Sequence, residues 1–150
     1  MSAIDRLRQI MMRLRDPAGG CPWDREQDWA SIAPHTIEEA YELADAIARG
    51  EPEAVRDELG DVLFQVVFQA RIAEERGLFD FDAVAAAIAD KLERRHPHVF
   101  ADATITDATA QSLAWEQHKR AERAARGQGV GALDGVTLGL PALIRATKLG

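Results

Sequence analysis

With 150 residues, 47% of them hydrophobic and 29% charged, the chain has the size and composition of one globular domain able to bury a core without staples. A formal net charge of -7 argues against a nucleic-acid polymer or an anionic membrane surface as partner, since both are held by spread positive charge. Cys21 is the one cysteine, which excludes an intramolecular disulfide and a zinc cluster built on cysteines.

The opening "MSAIDRLRQIMMRLRD" places Ile4, Leu7, Ile10, Met11 and Leu14 at three- and four-residue steps, which predicts an amphipathic helix. Charges interrupt its apolar residues every few positions, so it reads as neither signal peptide nor membrane span, and a soluble cytoplasmic protein is expected. "DPAGGCPWD" then breaks the pattern with two prolines and two glycines, leaving Trp23 in a loop. A second helix is expected from Pro34 or Thr36 to Arg49, with "GEP" as a turn. A third runs from Glu53 to Arg76, and Gly77 is its stop. After "FDFD" a fourth helix ends at "RRHPH", where Pro97 forbids continuation. A fifth covers Thr109 to Arg126. The glycine-rich "GQGVGALDGVTLGLP" reads as a linker, and "PALIRATKLG" starts a further helix, as if the natural chain continued. No stretch alternates in the manner of a half-buried strand. The expected fold class is therefore all-α, with a helical domain over residues 1–126 and the linker and new helix over 127–150.

At about 100° per residue, Glu38, Glu42 and Asp45 share one face of the second helix, with Ala40, Leu43, Ala44 and Ile47 on the other side. Alone, this is an ordinary solvated acidic face. Glu39 lies on the border and also fits a capping box, its carboxylate returning to the Thr36 amide.

The third helix differs. Leu59, Val62, Leu63, Phe64, Val66, Val67, Phe68 and Ala70 cover most of its circumference, and Glu58, Asp61, Gln65 and Gln69 form a polar stripe roughly 80° wide. A helix apolar nearly all round is buried in a bundle or an interface. An ionised carboxylate there costs on the order of several kcal/mol unless it is paired or bound to metal. The short "RGEP" connection predicts antiparallel helices, which brings Glu58 and Asp61 towards Glu38 and Glu42. Carboxylates converging without a cation among them call for a divalent metal, and all-oxygen ligands select magnesium, with manganese as a substitute. A di-iron bundle would need two Glu-x-x-His pairs. Glu93 and His96 supply one at a helix end, a second is missing, and His96 and His98 read as structural or rim residues.

"EEAYE" followed by "ELGD" resembles the EExxE…ExxD signature of the MazG-type nucleoside triphosphate pyrophosphohydrolases. "GCPWD", "DKLERRHPHVF", "WEQHK" and "LPALIRATK" are similar to MazG segments in the same order, so the resemblance covers nearly the whole chain. It is greatest to the N-terminal half of a two-domain MazG. The resemblance implies a helical bundle of the all-α NTP pyrophosphatase type that forms a homodimer. It implies magnesium held by Glu38, Glu39, Glu42, Glu58 and Asp61, and cleavage of a nucleoside triphosphate between the α and β phosphates to the monophosphate and pyrophosphate.

In that chemistry one carboxylate not fully engaged with metal takes the proton of the attacking water. Glu38 and Glu39 are the candidates, and the capping reading of Glu39 favours Glu38. Phosphates also need fixed positive donors. Lys91, Arg94 and Arg95 cluster at the end of the fourth helix and Lys119 lies on the fifth; cations there also complement a helix dipole, while arginine forks suit phosphate oxygens. Trp23 is the candidate for stacking on the base, with Trp115 and Trp29 as alternatives, and each also suits a core or interface anchor. Two competing readings remain: a catalytically weak dimerisation or regulatory domain of a larger MazG protein, and a phosphatase releasing orthophosphate.

Overall fold

The computed structural model describes residues 1–101 and 108–125, and these form helices joined by turns, with no strand among them. In chain order the helices are α1 (Ala3–Leu14), α2 (Pro22–Glu26), α3 (Trp29–Arg49), α4 (Pro52–Glu75), α5 (Phe81–Arg95), α6 (Pro97–Phe100) and α7 (Ala108–Ala125). The all-α expectation holds. The linker and further helix expected over 127–150 lie outside the described residues. No described helix is long and apolar enough to cross a membrane. The chain divides into two compact units, Met1–Ile88 and Ala89–Gly150.

In the first unit, Ser2 caps α1. Its hydroxyl accepts from the Asp5 amide at 3.2 Å, and the Asp5 carboxylate accepts from the Ser2 amide at 3.3 Å, a reciprocal capping box. Beyond the helix the chain folds back tightly: the Cys21 amide donates to the Leu14 carbonyl at 2.8 Å. A Cβ at Gly20 would lie 2.3 Å from that same carbonyl oxygen, so only glycine fits there. Trp23 is not in a loop as expected. Pro22 occupies the first position of α2, where a missing N–H is harmless and a fixed φ is already helical.

The second expected helix begins earlier, at Trp29, because Asp28 caps it. Asp28 Oδ1 accepts from the Ser31 amide and Ser31 Oγ accepts from the Asp28 amide, both at 2.8 Å. Pro34 is accommodated inside the helix. Thr36 is therefore an interior residue, and the capping box expected between Thr36 and Glu39 does not form.

Alpha-helices α1 and α3 pack against α4 around Met11, Ile32, Val67, Phe68 and Ile72, flanked by Ile4, Leu7, Trp29, Phe64 and Phe81. Burying side chains such as Phe68, Met11 and Ile32 contributes about 1.5–3 kcal/mol each. Arg15 ties the α2 segment to the end of α4. Its guanidinium holds both Glu75 oxygens, at 2.8 and 2.7 Å, and donates to the Asp24 and Gln27 carbonyls at 2.5 and 3.1 Å. The same group lies 5.3 Å from the centre of the Phe68 ring. Gly77 ends α4 as expected. At φ 71° its amide donates to the Glu74 carbonyl, and the Leu78 amide reaches back to Ala73, the Schellman arrangement.

Two apolar faces stay open within the chain. On α3 the apolar side is open, with Ile37, Tyr41 and Ile47 exposed, while Ile32 and Ala46 are buried. On α4 the apolar circumference is covered on one side only, and Leu59, Leu63 and Val66 are exposed. The reason is geometric: α4 has more apolar surface than α1 and α3 can cover.

In the second unit α5 ends at Arg95, and Pro97 opens α6, as the "RRHPH" pattern predicts. Arg94 and Arg95 are both held by Glu122 of α7.

Candidate metal centre

Only Gly50 and Glu51 separate α3 from α4. Gly50 sits at φ 68°, ψ 30° and its amide donates to the Ile47 carbonyl at 3.0 Å, a left-handed cap that glycine adopts without strain. Pro52 at the first position of α4 restarts the helix at once. Residues met along α3 from its start then face α4 in descending order. The Trp29 indole donates to the Gln69 carbonyl, and Thr36 meets Gln65 and Gln69. Glu39 and Glu42 meet Glu58 and Asp61. The antiparallel pairing is as expected.

One carboxylate oxygen from each of Glu39, Glu42, Glu58 and Asp61 lies within 4.8 Å of the others. Glu39 and Glu58 are half-buried, while Glu42 and Asp61 open to solvent. None of the four takes part in an ion pair among the described residues. Glu39 Oε2 and Glu58 Oε2 are buried and accept no hydrogen bond. Burial, followed by the charges of Glu42 and Asp61, pushes both the Glu39 and the Glu58 carboxyl above the usual glutamate range. Four hard oxygen donors, two of them buried and unsatisfied, fit a divalent cation such as magnesium or manganese.

The sequence-derived acidic face separates into three environments. Glu42 joins the cluster. Asp45 pairs with Arg49 at 3.2 Å, one turn along. Glu38 is exposed and lies outside the group of four. Glu39, expected among the metal ligands although its spacing from Thr36 also fits a cap, joins the cluster facing α4.

The expected substrate residues have varied surroundings. Trp23 is 48% exposed on α2, with its ring edge-on to His35 at 5.4 Å and to Phe68 at 6.5 Å. Its alternative Trp29 is an anchor: it stacks on Phe79 at 6.3 Å, lies under Arg76 at 4.7 Å and hydrogen-bonds Gln69. In the second unit the Trp115 ring gathers Arg95 at 4.8 Å, His96 at 5.2 Å and Lys119 at 5.8 Å. Lys91 is half-buried on the same unit's part of α5. His96 bonds the Leu92 carbonyl at 2.7 Å and does not join the carboxylate group. Glu122 is the residue that sequence reasoning missed. It accepts from Arg94 Nε at 3.2 Å and also from Arg95, and the two guanidiniums, Arg95 foremost, lower its carboxyl to about 2. One acid in the basic run "HKRAERAAR" was the available signal.

Residues 27–100 match the MazG nucleotide pyrophosphohydrolase domain. The chain belongs to the MazG family. MazG relatives include the nucleoside triphosphate pyrophosphohydrolase of Escherichia coli K12, 57% identical over 99% of this chain and 56% of the relative. The nucleoside triphosphate pyrophosphohydrolase/pyrophosphatase MazG of Thermotoga maritima is 50% identical over 66% of this chain and 38% of its own length. This MazG chain thus spans little more than half of the first relative and less of the second. The crystal structure of a mazG-related protein from Thermotoga maritima superposes with a TM-score of 0.62 at 23% identity, covering 77% of this chain and 97% of that one. That likeness establishes a shared helical fold.

A pH dependence follows from the two raised carboxyls. Their folded-state pKa lies above the unfolded value, so the folded protein binds more protons than the unfolded chain through the window just above the usual glutamate value of 4.5. Stability of the metal-free protein from this source rises as pH falls through that window. Glu75 and Glu122 are shifted the other way, and their contribution is lost as pH falls through their lowered values. Thermal unfolding without divalent metal is expected to show a smaller gain on acidification for Glu58→Gln than for the unsubstituted chain. Equal slopes would contradict the buried-carboxylate assignment.

Proposed function

We propose that this MazG chain hydrolyses nucleoside triphosphates between the α and β phosphates, releasing the monophosphate and pyrophosphate, in the cytoplasm. The observation that carries the reading is the pair of buried, partnerless oxygens of Glu39 and Glu58 within a four-carboxylate cluster. The relatives from Escherichia coli and Thermotoga maritima, both named nucleoside triphosphate pyrophosphohydrolases, support it.

Glu39, Glu42, Glu58 and Asp61 are the proposed ligands of magnesium, with manganese as a substitute. These carboxylates would hold the ion, which would supply charge screening for the polyphosphate and acidify a bound water. Glu38 stands outside the group, so its carboxylate is free of metal and placed on the same helix. We assign it the role of general base, receiving the water proton. Trp23, exposed beside His35, is the proposed stacking surface for the base. Arg94, Arg95, Lys91 and Lys119 are proposed as phosphate contacts, for which Glu122 must give up its hold on the arginines.

The exposed apolar residues Ile37, Tyr41 and Ile47 of α3 and Leu59, Leu63 and Val66 of α4 support a homodimer, since a twofold axis is the commonest way for a chain to cover such a surface. The expected molar mass by light scattering is twice the 16.5 kDa of the chain, and Leu63→Glu is expected to halve it. A monomeric unsubstituted chain would refute the dimer.

For the base assignment, Glu38→Gln is expected to lower kcat by about 10²–10⁴-fold while magnesium binding is kept. Loss of magnesium binding in that variant would make Glu38 a ligand instead.

The bond broken is read by hydrolysis in ¹⁸O-labelled water followed by mass analysis. Attack at the α-phosphorus places the label in the monophosphate. Label in orthophosphate, with the diphosphate as the other product, identifies a phosphatase. No product from any common triphosphate favours the dimerisation or regulatory module.

A further inference from the structure

The metal-free cluster presents a mechanical problem. Four carboxylates meet within 4.8 Å, and like charges at that separation push α3 and α4 apart. Apolar packing alone holds helices together without a preferred distance finer than side-chain adaptability allows. Something directional is needed beside the cluster.

The polar stripe of α4 continues past Asp61 into Gln65 and Gln69, one and two turns further along. Thr36 stands one turn before Glu39 on α3. Its hydroxyl accepts from Gln69 Nε2 at 2.6 Å and donates to Gln65 Oε1 at 3.1 Å. Gln65 is 5% exposed. Both are hydrogen bonds between neutral side chains that join α3 to α4. A hydroxyl that gives and receives at once fixes both the spacing and the axial register of the two helices. The Trp29 indole, bonded to the Gln69 carbonyl at 3.1 Å, braces the same turn from the other side.

We infer that Thr36, Gln65 and Gln69 are positioning residues: a neutral hydrogen-bonded bridge that holds the Glu39–Glu42 and Glu58–Asp61 pairs at metal-binding separation before any ion arrives. The inference rests on the metal assignment under the proposed function. It accounts for two glutamines and a threonine in the contact between two helices where apolar side chains would pack as well. It also separates two effects that usually move together. Releasing the bridge lets like charges relax apart, so its loss weakens metal affinity beyond any general loosening of the fold.

The test is calorimetric titration of the full chain with magnesium alone, paired with thermal unfolding. Thr36→Val is expected to lower magnesium affinity by about 10–100-fold, the usual effect of removing a group that orients metal ligands. Thr36→Ser, which keeps the hydroxyl, is expected to restore affinity to near that of the unsubstituted chain. Gln65→Met is the second variant if Thr36→Val folds poorly, and the same loss is expected from it. Magnesium affinity unchanged in folded Thr36→Val or Gln65→Met, with only the metal-free melting temperature lowered, overturns the positioning role and leaves a structural bond. Equal loss in Thr36→Ser and Thr36→Val overturns it as well. An unsubstituted chain that takes up no magnesium overturns the metal assignment itself, and is told apart because the loss then precedes any substitution.

Discussion

The two-residue link at Gly50 and Glu51 is the constraint on which the site depends. It leaves no slack between a 21-residue and a 24-residue helix, so they must lie side by side and antiparallel. Once they do, each residue of α3 has its counterpart on α4 assigned. The four carboxylates face one another because of that register, and so do Thr36 and the two glutamines. Arg15 and the core around Phe68 hold the far end of the same pair. At the near end, apolar residues on the outer faces of both helices remain uncovered within the chain.

Acidic residues meet opposite electrostatic fates in the two units. Glu122 faces two guanidiniums and is held far below the usual carboxylate range, at about 2. Glu39 and Glu58 face only other acids, and burial raises them instead. Local rules of charge placement are obeyed in one case and broken in the other. A protein that keeps such a conflict through folding does so where a ligand resolves it. The unsatisfied oxygens of Glu39 and Glu58 are the structural mark of that conflict.

Much of this was readable in the residues. The narrow polar stripe on an otherwise apolar helix placed Glu58 and Asp61 at the site, because a 3.6-residue period converts spacing directly into direction. The stop at Gly77 and the break at Pro97 were readable for the same local reason. The start of α3 was not. Pro34 and Thr36 both carry start signals, and Asp28 with Ser31 forms a stronger reciprocal cap that only the backbone geometry decides between. That error gave Glu39 a competing capping role and tilted the choice of base for the wrong reason. Which side of α4 the chain itself covers was not readable, since periodicity reports which face is apolar and not what covers it. The pairing of Glu122 was not readable, because its partners lie 27 and 28 positions away, beyond the reach of helical periodicity.

The Gly50 turn has a further consequence, for the order of events during folding. All four carboxylates come from one helical hairpin, so the site needs no distant part of the chain to form. Closing so short a loop loses little chain entropy, and helical hairpins are among the fastest structures to assemble. The charged cluster therefore comes together with the hairpin, and its repulsion weighs on the folding transition itself as well as on the finished fold.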